Sequence, residues 1–417
     1  MKEKLFSKDF TMVVIGQIIS LFGNAAIRFV LPLYLLNRTG SAMLYGIVTA
    51  CAFIPSVLLS PAGGIVADRV NKKNIMVALD FFTAALIAAF AMLKGGVGLI
   101  PLLTVTLMLL YGIAGAYQPT VQASIPALVG KEHFMAANSV IQTISSVSSL
   151  LGPVIGGILY SAYGLEPVLW VCIACFFASA VMEIFIKIPF KKQVFSGSIW
   201  SMVKSDFTQS IRFIRKEKPV VGKGMLVAFG INLFLSSMLN VGMPYLITEV
   251  LDLGSLQANQ LYGFAEGALA AGGLCGAACA GIFARRLAVQ KAGNLIVACA
   301  ICVFPMGVAL MLCSSGLVNY IVMTLCCFMI MICSTIFVIQ IMSFVQAETP
   351  QNLTGKVIAV IFSISVCAQP LGSALYGALF ELCGGMEYGV VLFAGLAALA
   401  IAVCTKNIFV AVEPCGE

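Results

Sequence analysis

Arg28 and Glu266 are the side chains best placed to do chemistry, because each is an ionisable group inside a long apolar run. A charge in such surroundings is costly unless it is paired or neutralised. A carboxyl that can hold either an arginine or a proton couples protonation to movement: taking up the proton releases the arginine, and a ligand competes for one partner. Asn24, Gln118 and Asn240 add neutral amides within or beside apolar runs, candidates for lining a polar path. Asp80, Glu183 and Glu381 lie nearer the ends of their runs, and Asp80 is expected to pair with loop cations. Nucleophilic and metal chemistry lack their residues. The single histidine, His133, stands beside Lys131 and Glu132, and nearly all of the 15 cysteines, among them Cys172, Cys175, Cys275, Cys279, Cys299 and Cys302, fall in apolar runs. There Cys acts as a small hydrophobe. Zinc would need four convergent ligands, and no phosphate-cradling glycine loop is present, so neither metal nor cofactor is expected.

The elements that must position these groups are membrane helices. Of 417 residues 61% are hydrophobic and only 10% charged, where a soluble protein carries roughly a quarter charged. Twelve apolar blocks run at about 10–36, 43–66, 75–93, 98–122, 136–160, 167–188, 224–248, 258–284, 292–313, 317–345, 357–383 and 387–410. Each approaches or exceeds the roughly 20 residues a helix needs to cross a bilayer. None alternates polar with apolar as a barrel strand does. The first block follows Lys2, Lys4 and Lys8, but it is too long for a signal-peptide core and reads as a retained helix. The expected fold is an all-α membrane protein of twelve transmembrane helices in two pseudo-symmetric six-helix bundles.

Charge sets the expected orientation. Threading twelve spans from an inner N-terminus leaves all but Arg28, Arg38 and Lys94 of the 24 Lys and Arg on the inner side. The positive-inside rule reads this as cytoplasmic N- and C-termini. The net charge of +7 then reflects topology and contact with anionic membrane lipids, and no nucleic acid is needed to explain it.

The two bundles look like copies. Tyr45-Gly46 recurs as Tyr262-Gly263, Gly64 with Arg69 as Gly281 with Arg286, and Pro153 as Pro370, all at an offset of 217 residues. Pro32-Leu33-Tyr34-Leu35 answers Pro244-Tyr245-Leu246-Ile247, which aligns Arg28 with Asn240. The expected organisation is an N-terminal half, 1–188, a linker, 189–223, and a C-terminal half, 224–417. Parallel repeats of this kind hold substrate near mid-membrane, between the halves. In the linker Ile199, Trp200, Val203, Phe207, Ile211 and Ile214 recur opposite Lys204, Arg212 and Arg215. That pattern predicts an amphipathic helix on the inner leaflet.

Two motifs carry the mechanism. Between the second and third spans stands Gly64-Ile65-Val66-Ala67-Asp68-Arg69-Val70-Asn71-Lys72-Lys73. Asp68 closes a helix whose C-terminal partial charge repels it, so it wants a positive partner such as Arg69, Lys72 or Lys73. In the fifth span Leu151-Gly152-Pro153-Val154-Ile155-Gly156-Gly157 strips one face of side chains. Close helix approach and a bend at Pro153 follow. The first stretch resembles the loop signature of the major facilitator superfamily, and the second the signature associated with antiporters. With Pro119, Pro126 and Asn138 the chain is similar to the macrolide-efflux-type branch of drug–proton antiporters. The resemblance implies the major facilitator fold and a cytoplasmic gate in which Gly64, Asp68, Arg69, Lys72 and Lys73 meet the start of the eleventh span near Lys356. Asn71 stands where the family has Gly, a place that Asn fills by entering left-handed backbone. Arg285 stands where a second Asp68 would be, and Thr83 where an Arg usually follows Asp80. Only Gln369-Pro370-Leu371-Gly372 of the antiporter motif remains in the eleventh span, so the halves are expected to be mechanically unequal.

The expected function is secondary active transport by alternating access: export of hydrophobic or amphipathic small molecules, drug- or macrolide-like, in exchange for protons. Few charges and many Phe, Met, Leu and Tyr suit large apolar ligands better than sugars or phosphates. The alternatives are export of a specific metabolite, peptide or siderophore, a non-transporting receptor, or an integral membrane enzyme. The last lacks a nucleophile–His–acid set. A monomer in the bacterial cytoplasmic membrane is expected.

Overall fold

The computed structural model describes residues 6–96, 98–130, 134–188, 199–282 and 292–410. Their regular structure is entirely helical. The first half contributes α1 (Lys8–Thr39), α2 (Ala42–Arg69), α3 (Lys72–Leu93), α4 (Leu99–Leu128), α5 (Phe134–Tyr163) and α6 (Leu165–Ile184). The linker supplies α7 (Ile199–Lys216). The second half opens with α8 (Pro219–Ile231) and α9 (Ser237–Tyr245), joined by a π-helical turn at Asn232–Ser236 and followed by another at Leu246–Val250. Then come α10 (Ser255–Ile282), α11 (Ala292–Leu312), α12 (Gly316–Glu348), α13 (Gln351–Leu382) and α14 (Glu387–Val410). Among the described residues twelve helical stretches are long and apolar enough to cross a membrane, with α8 to the second π turn forming the seventh, Pro219–Val250. They coincide with the twelve apolar blocks.

Local chemistry sets the helix ends. Gly164, between α5 and α6, has φ +76° and Gly254, before α10, has φ +75°, backbone that glycine adopts without penalty. Asn71 does not use the left-handed conformation expected of it. Its φ is −59°, and its side chain accepts a 3.1 Å hydrogen bond from the Lys73 N–H, capping α3. Ending one helix and starting another within three residues needs a cap more than a kink, and Asn supplies one. Prolines 32, 153, 305 and 370 sit inside helices, as neighbouring helices in a membrane permit.

The chain divides into two compact units. The first comprises Met1–Arg38, Cys51–Ile199 and Asn259–Gly267; the second comprises Thr39–Ala50, Trp200–Ala258 and Ala268–Glu417. Each unit thus takes in one short stretch from the other half of the sequence. In the first, Phe10, Val13, Met76, Tyr117, Val121 and Ile125 form one buried cluster. In the second, Phe213 and Ile214 of α7 are buried with Val221, Ile296, Val345, Val357 and Val360. The apolar face of α7 therefore meets protein along its last turns instead of lying wholly on lipid as expected. Phe207 stays 44% exposed, and Arg212, Arg215 and Lys216 face outward. The ammonium of Lys218 pairs with Glu348 just beyond α7, and Lys356 Nζ donates to Gln209 Oε1 at 3.4 Å. Elsewhere exposed apolar side chains such as Trp170, Leu325 and Leu396 present to lipid the surface that a membrane helix must show.

Candidate functional site

In the first unit, α5 lies against α1 and residues 259–267 of α10 at backbone distance. A Cβ on Gly152 would sit 2.4 Å from Ala25 Cβ, and one on Gly156 would sit 3.3 Å from Val30 Cγ2. On Gly157 it would meet the Asn259 carbonyl at 3.1 Å. The approach is mutual: a Cβ on Gly263 would meet the Pro153 carbonyl at 2.7 Å. Gly152, Pro153, Gly156 and Gly157 are all buried. Around them Phe29 stacks on Tyr262 with ring centroids 4.8 Å apart. Asn37 Nδ2 donates to Asn259 Oδ1 at 2.8 Å.

The second unit repeats the close approach. A Cβ on Gly372 of α13 would collide with Ser237 Oγ at 2.2 Å and the Leu233 carbonyl at 2.4 Å. A Cβ on Gly377 would meet the Ala42 carbonyl at 2.8 Å, and one on Gly46 the Ser373 carbonyl at 2.4 Å. Gly377 was missed because it lies outside the motif run. Its signal was Gly46, the repeat partner of Gly263, which needed an equally bare surface to face. Glu381, one turn further along α13, accepts hydrogen bonds from Ser41 Oγ at 2.9 Å and the Met43 N–H at 3.3 Å. It thereby satisfies an exposed donor in the first turn of α2.

Arg28 and Glu266 both belong to the first unit, and no ion pair joins them. The Arg28 guanidinium lies 3.5 Å from the centre of the Tyr111 ring, which itself packs edge-on to Phe53 at 5.0 Å. Such a cation–π contact is worth about 0.5–2 kcal/mol. Glu266 Oε1 accepts from Tyr262 OH at 3.1 Å. Each charge has taken an aromatic neighbour: the ring quadrupole serves the cation and the phenol O–H serves the carboxyl. Asn24 on α1 and Gln118 on α4 are half-buried. Asn240 belongs to an amide chain in the second unit. Its Nδ2 donates to Gln369 Oε1 at 2.9 Å, Gln369 Nε2 donates to Asn232 Oδ1 at 3.2 Å, and Asn232 Nδ2 donates to the Ala228 carbonyl at 2.9 Å. Asn232 opens the first π turn; such turns often mark functional positions inside helices.

Asp80 does not meet the loop cations expected of it, and Glu183 is buried beside the same helices. Helix α3 begins at Lys72, earlier than the apolar run suggests, so Asp80 lies about 12 Å along it. Asp80 is 2% exposed and Glu183 1% exposed. Ser20 Oγ donates to Asp80 Oδ1 at 3.0 Å, and Tyr117 OH donates to Glu183 Oε1 at 2.8 Å. Gln17 Nε2 donates to Tyr117 OH at 2.7 Å. Gln17, Ser20 and Tyr117 were not singled out in the sequence, where an amide and a phenol in apolar helices carry no distinguishing spacing.

A groove of about 340 Å³, open to the surface past the exposed side chains of Leu59, Val105 and Leu109, lies in the first unit among Pro55 of α2, Leu79 of α3, and Met108, Gly112 and Ala116 of α4. Its walls are apolar, and its size falls at the low end of small-molecule sites, about 300–1,000 Å³. Of the gate residues, Lys72 and Lys73 form the first turn of α3 and are half-buried. The side chains of Gly64, Asp68 and Arg69, and all of His133, Arg285 and Arg286, lie outside the described residues. Among the described residues, no three of His, Cys, Asp and Glu converge as a metal would require.

Comparison with known proteins agrees with this architecture. The sequence profile of the Major Facilitator Superfamily matches residues 13–373. Macrolide efflux protein A of Streptococcus pyogenes is 25% identical over 400 residues, covering 93% of this chain and 93% of that protein. The multidrug efflux pump Tap of Mycobacterium tuberculosis is 23% identical over 379 residues, covering 89% and 87%. Among solved structures, nucleoside transporter NupG superposes with a TM-score of 0.72 at 11% identity, covering 98% of this chain and 100% of that one. A bacterial homologue of the iron transporter ferroportin superposes with 0.70 at 17% identity, covering 95% and 98%.

Proposed function

Because the chain belongs to the Major Facilitator Superfamily, and is a transporter rather than an enzyme, we propose that it exports hydrophobic or amphipathic small molecules in exchange for protons. The observation that carries the reading is the likeness to macrolide efflux protein A along 93% of both chains. The physical chemistry agrees with it. The open groove among α2, α3 and α4 has apolar walls, and Arg28 is covered by an aromatic ring. Such a surface favours large apolar ligands and offers little to a sugar or a phosphate.

On this reading the residues that open the loop between α2 and α3 act as the cytoplasmic gate. Gly64 lets the helix end be approached, Asp68 and Arg69 form its charged contact, and Lys72 and Lys73 add positive charge. Both termini face the cytoplasm of a bacterium, and the two six-helix halves, 1–188 and 224–417, exchange access as a monomer. Gly152, Pro153, Gly156 and Gly157 form the sliding face. Glu266 takes up and releases the coupling proton, with Arg28, Asn24, Gln118 and Asn240 as its polar surroundings.

Expression in an efflux-deficient bacterial host tests the substrate class. The expected result is a severalfold rise in the inhibitory concentration of a macrolide and of ethidium, with ethidium uptake into energised inverted vesicles that collapses when the proton gradient is discharged. Failure to protect against any of a panel of macrolides and lipophilic cations, with counterflow of a small polar metabolite in proteoliposomes, overturns the substrate class. Ethidium uptake indifferent to the proton gradient overturns antiport.

A further inference from the structure

We propose that the first unit contains a proton-binding site distinct from Glu266, in which Asp80 and Glu183 carry exchangeable protons within a buried network of Gln17, Ser20 and Tyr117. The inference deepens the proton-exchange reading, and part of its test does not depend on that reading.

Each carboxyl has one oxygen satisfied, Asp80 Oδ1 by Ser20 and Glu183 Oε1 by Tyr117. The other oxygen of each, Asp80 Oδ2 and Glu183 Oε2, has no donor. Gln17 is fully buried; its amide nitrogen is spent on Tyr117, while its carbonyl Oε1 also lacks a donor. The network therefore holds three buried acceptors and is short of donors. Native interiors rarely leave such groups unpaired.

Among the described residues none supplies positive charge to the network. From α1 the network receives Gln17 and Ser20, from α3 Asp80, from α4 Tyr117, and from α6 Glu183 with Ser179 close by. Ser179 Oγ donates to the Gly16 carbonyl at 3.1 Å. The titratable groups that face each other are thus the two carboxyls and one phenol. Helix α5 carries no Asp, Glu, Lys, Arg or His, and no described Lys or Arg forms an ion pair with Asp80 or Glu183. Two anions so placed would repel each other and lack solvation. A proton on Asp80 Oδ2 and another on Glu183 Oε2 turn two acceptors into donors and remove both charges. Uptake and release make and break only O–H bonds, with water as the donor and acceptor of the proton.

The position suits exchange. Gln17 lies about 14 Å along α1 from Lys8, and Asp80 a similar distance along α3 from Lys72. Both starts belong to the end of the unit where the Lys187 N–H bonds Asp9 Oδ1 at 3.0 Å. The network spans four helices, so a shift of any one against the rest changes which donors reach the carboxyls.

The test is a pH-difference infrared spectrum of the purified full-length protein, taken in sodium-free buffer between about pH 5 and about pH 9, a window above the ordinary carboxyl titration at about 4, so that exposed carboxyls stay ionised throughout. The expected result is loss of protonated-carboxyl C=O intensity on going alkaline, with one component missing in Asp80→Asn, another in Glu183→Gln, and both retained in Glu266→Gln. Tyr117→Phe removes the donor to Glu183 while leaving both acids, and shifts the Glu183 component; this variant decides the matter if the amide variants fail to fold. Components unchanged in Asp80→Asn, Glu183→Gln and Tyr117→Phe overturn the proposal. So does abolition of the bands by sodium ions at constant pH, which would make the network a sodium site. In inverted vesicles ethidium uptake driven by a pH gradient is expected to fall at least tenfold in Glu183→Gln while ethidium counterflow persists. If the wild type moves no ethidium, the substrate reading fails and the infrared result still decides the proton site.

Discussion

Replacing Gly263 with Ala adds one methyl group where the structure has no room for it. Its Cβ would stand 2.7 Å from the Pro153 carbonyl oxygen and 3.4 Å from Gly157 Cα. Both are backbone atoms of α5, so no side-chain rotation relieves the clash. Overpacking of this kind costs about 1–3 kcal/mol. The cost falls only on arrangements in which residues 259–267 lie against α5, so the population of arrangements that separate them rises about 5- to 150-fold, at 1.4 kcal/mol per tenfold. Hydrogen exchange followed by mass spectrometry reads this directly: amides in peptides spanning 153–163 and 257–267 exchange faster by that factor while peptides from α11 do not change. Gly281→Ala is the control, because a Cβ there meets nothing within 4 Å. If Gly263→Ala and Gly281→Ala give the same exchange pattern, the close approach of α10 to α5 is not what holds this arrangement. Gly46→Ala is the matched test in the second unit, with Ser373 O at 2.4 Å.

Glu266→Gln keeps the acceptor for Tyr262 but cannot bind and release a proton, so pH-gradient-driven ethidium transport is expected to fall at least tenfold while counterflow survives; unchanged driven transport removes Glu266 from the coupling role. Tyr111→Leu strips the ring from Arg28 and should lower the thermal midpoint of the purified protein, whereas Tyr111→Trp should preserve it, since a cation–π contact of about 0.5–2 kcal/mol is at stake. Equal midpoints for both variants would mean that the ring contributes only bulk. Asn71→Ala should destabilise by about 1 kcal/mol through loss of the α3 cap, and Asn71→Asp should restore most of it. If Asn71→Gly matches or exceeds Asn71→Asp, backbone freedom matters there more than the cap.

Span number and helical class were legible in composition and block length, because a bilayer core admits only segments that satisfy their own backbone. The bare face of α5 was legible too: Gly152, Gly156 and Gly157 have no side chains to obstruct a neighbour, whatever that neighbour is. The partners were another matter. Arg28 rests on Tyr111, and Glu266 bonds Tyr262 within its own helix; depth along a helix is a one-dimensional coordinate and does not give the rotation that chooses a neighbour. The Asp80–Glu183 network draws Gln17, Ser20, Asp80, Tyr117 and Glu183 from four helices. No spacing along the chain records that convergence, so each member read alone as a surface charge or an ordinary polar residue. The same holds for α7, whose amphipathic pattern was evident, while only the packed second unit decided that Phe213 and Ile214 enter protein. Periodicity and solvent preference are properties of a segment and survive in the sequence. Which side chains meet depends on how rigid helices rotate and lean to fill shared space, and that is decided in three dimensions.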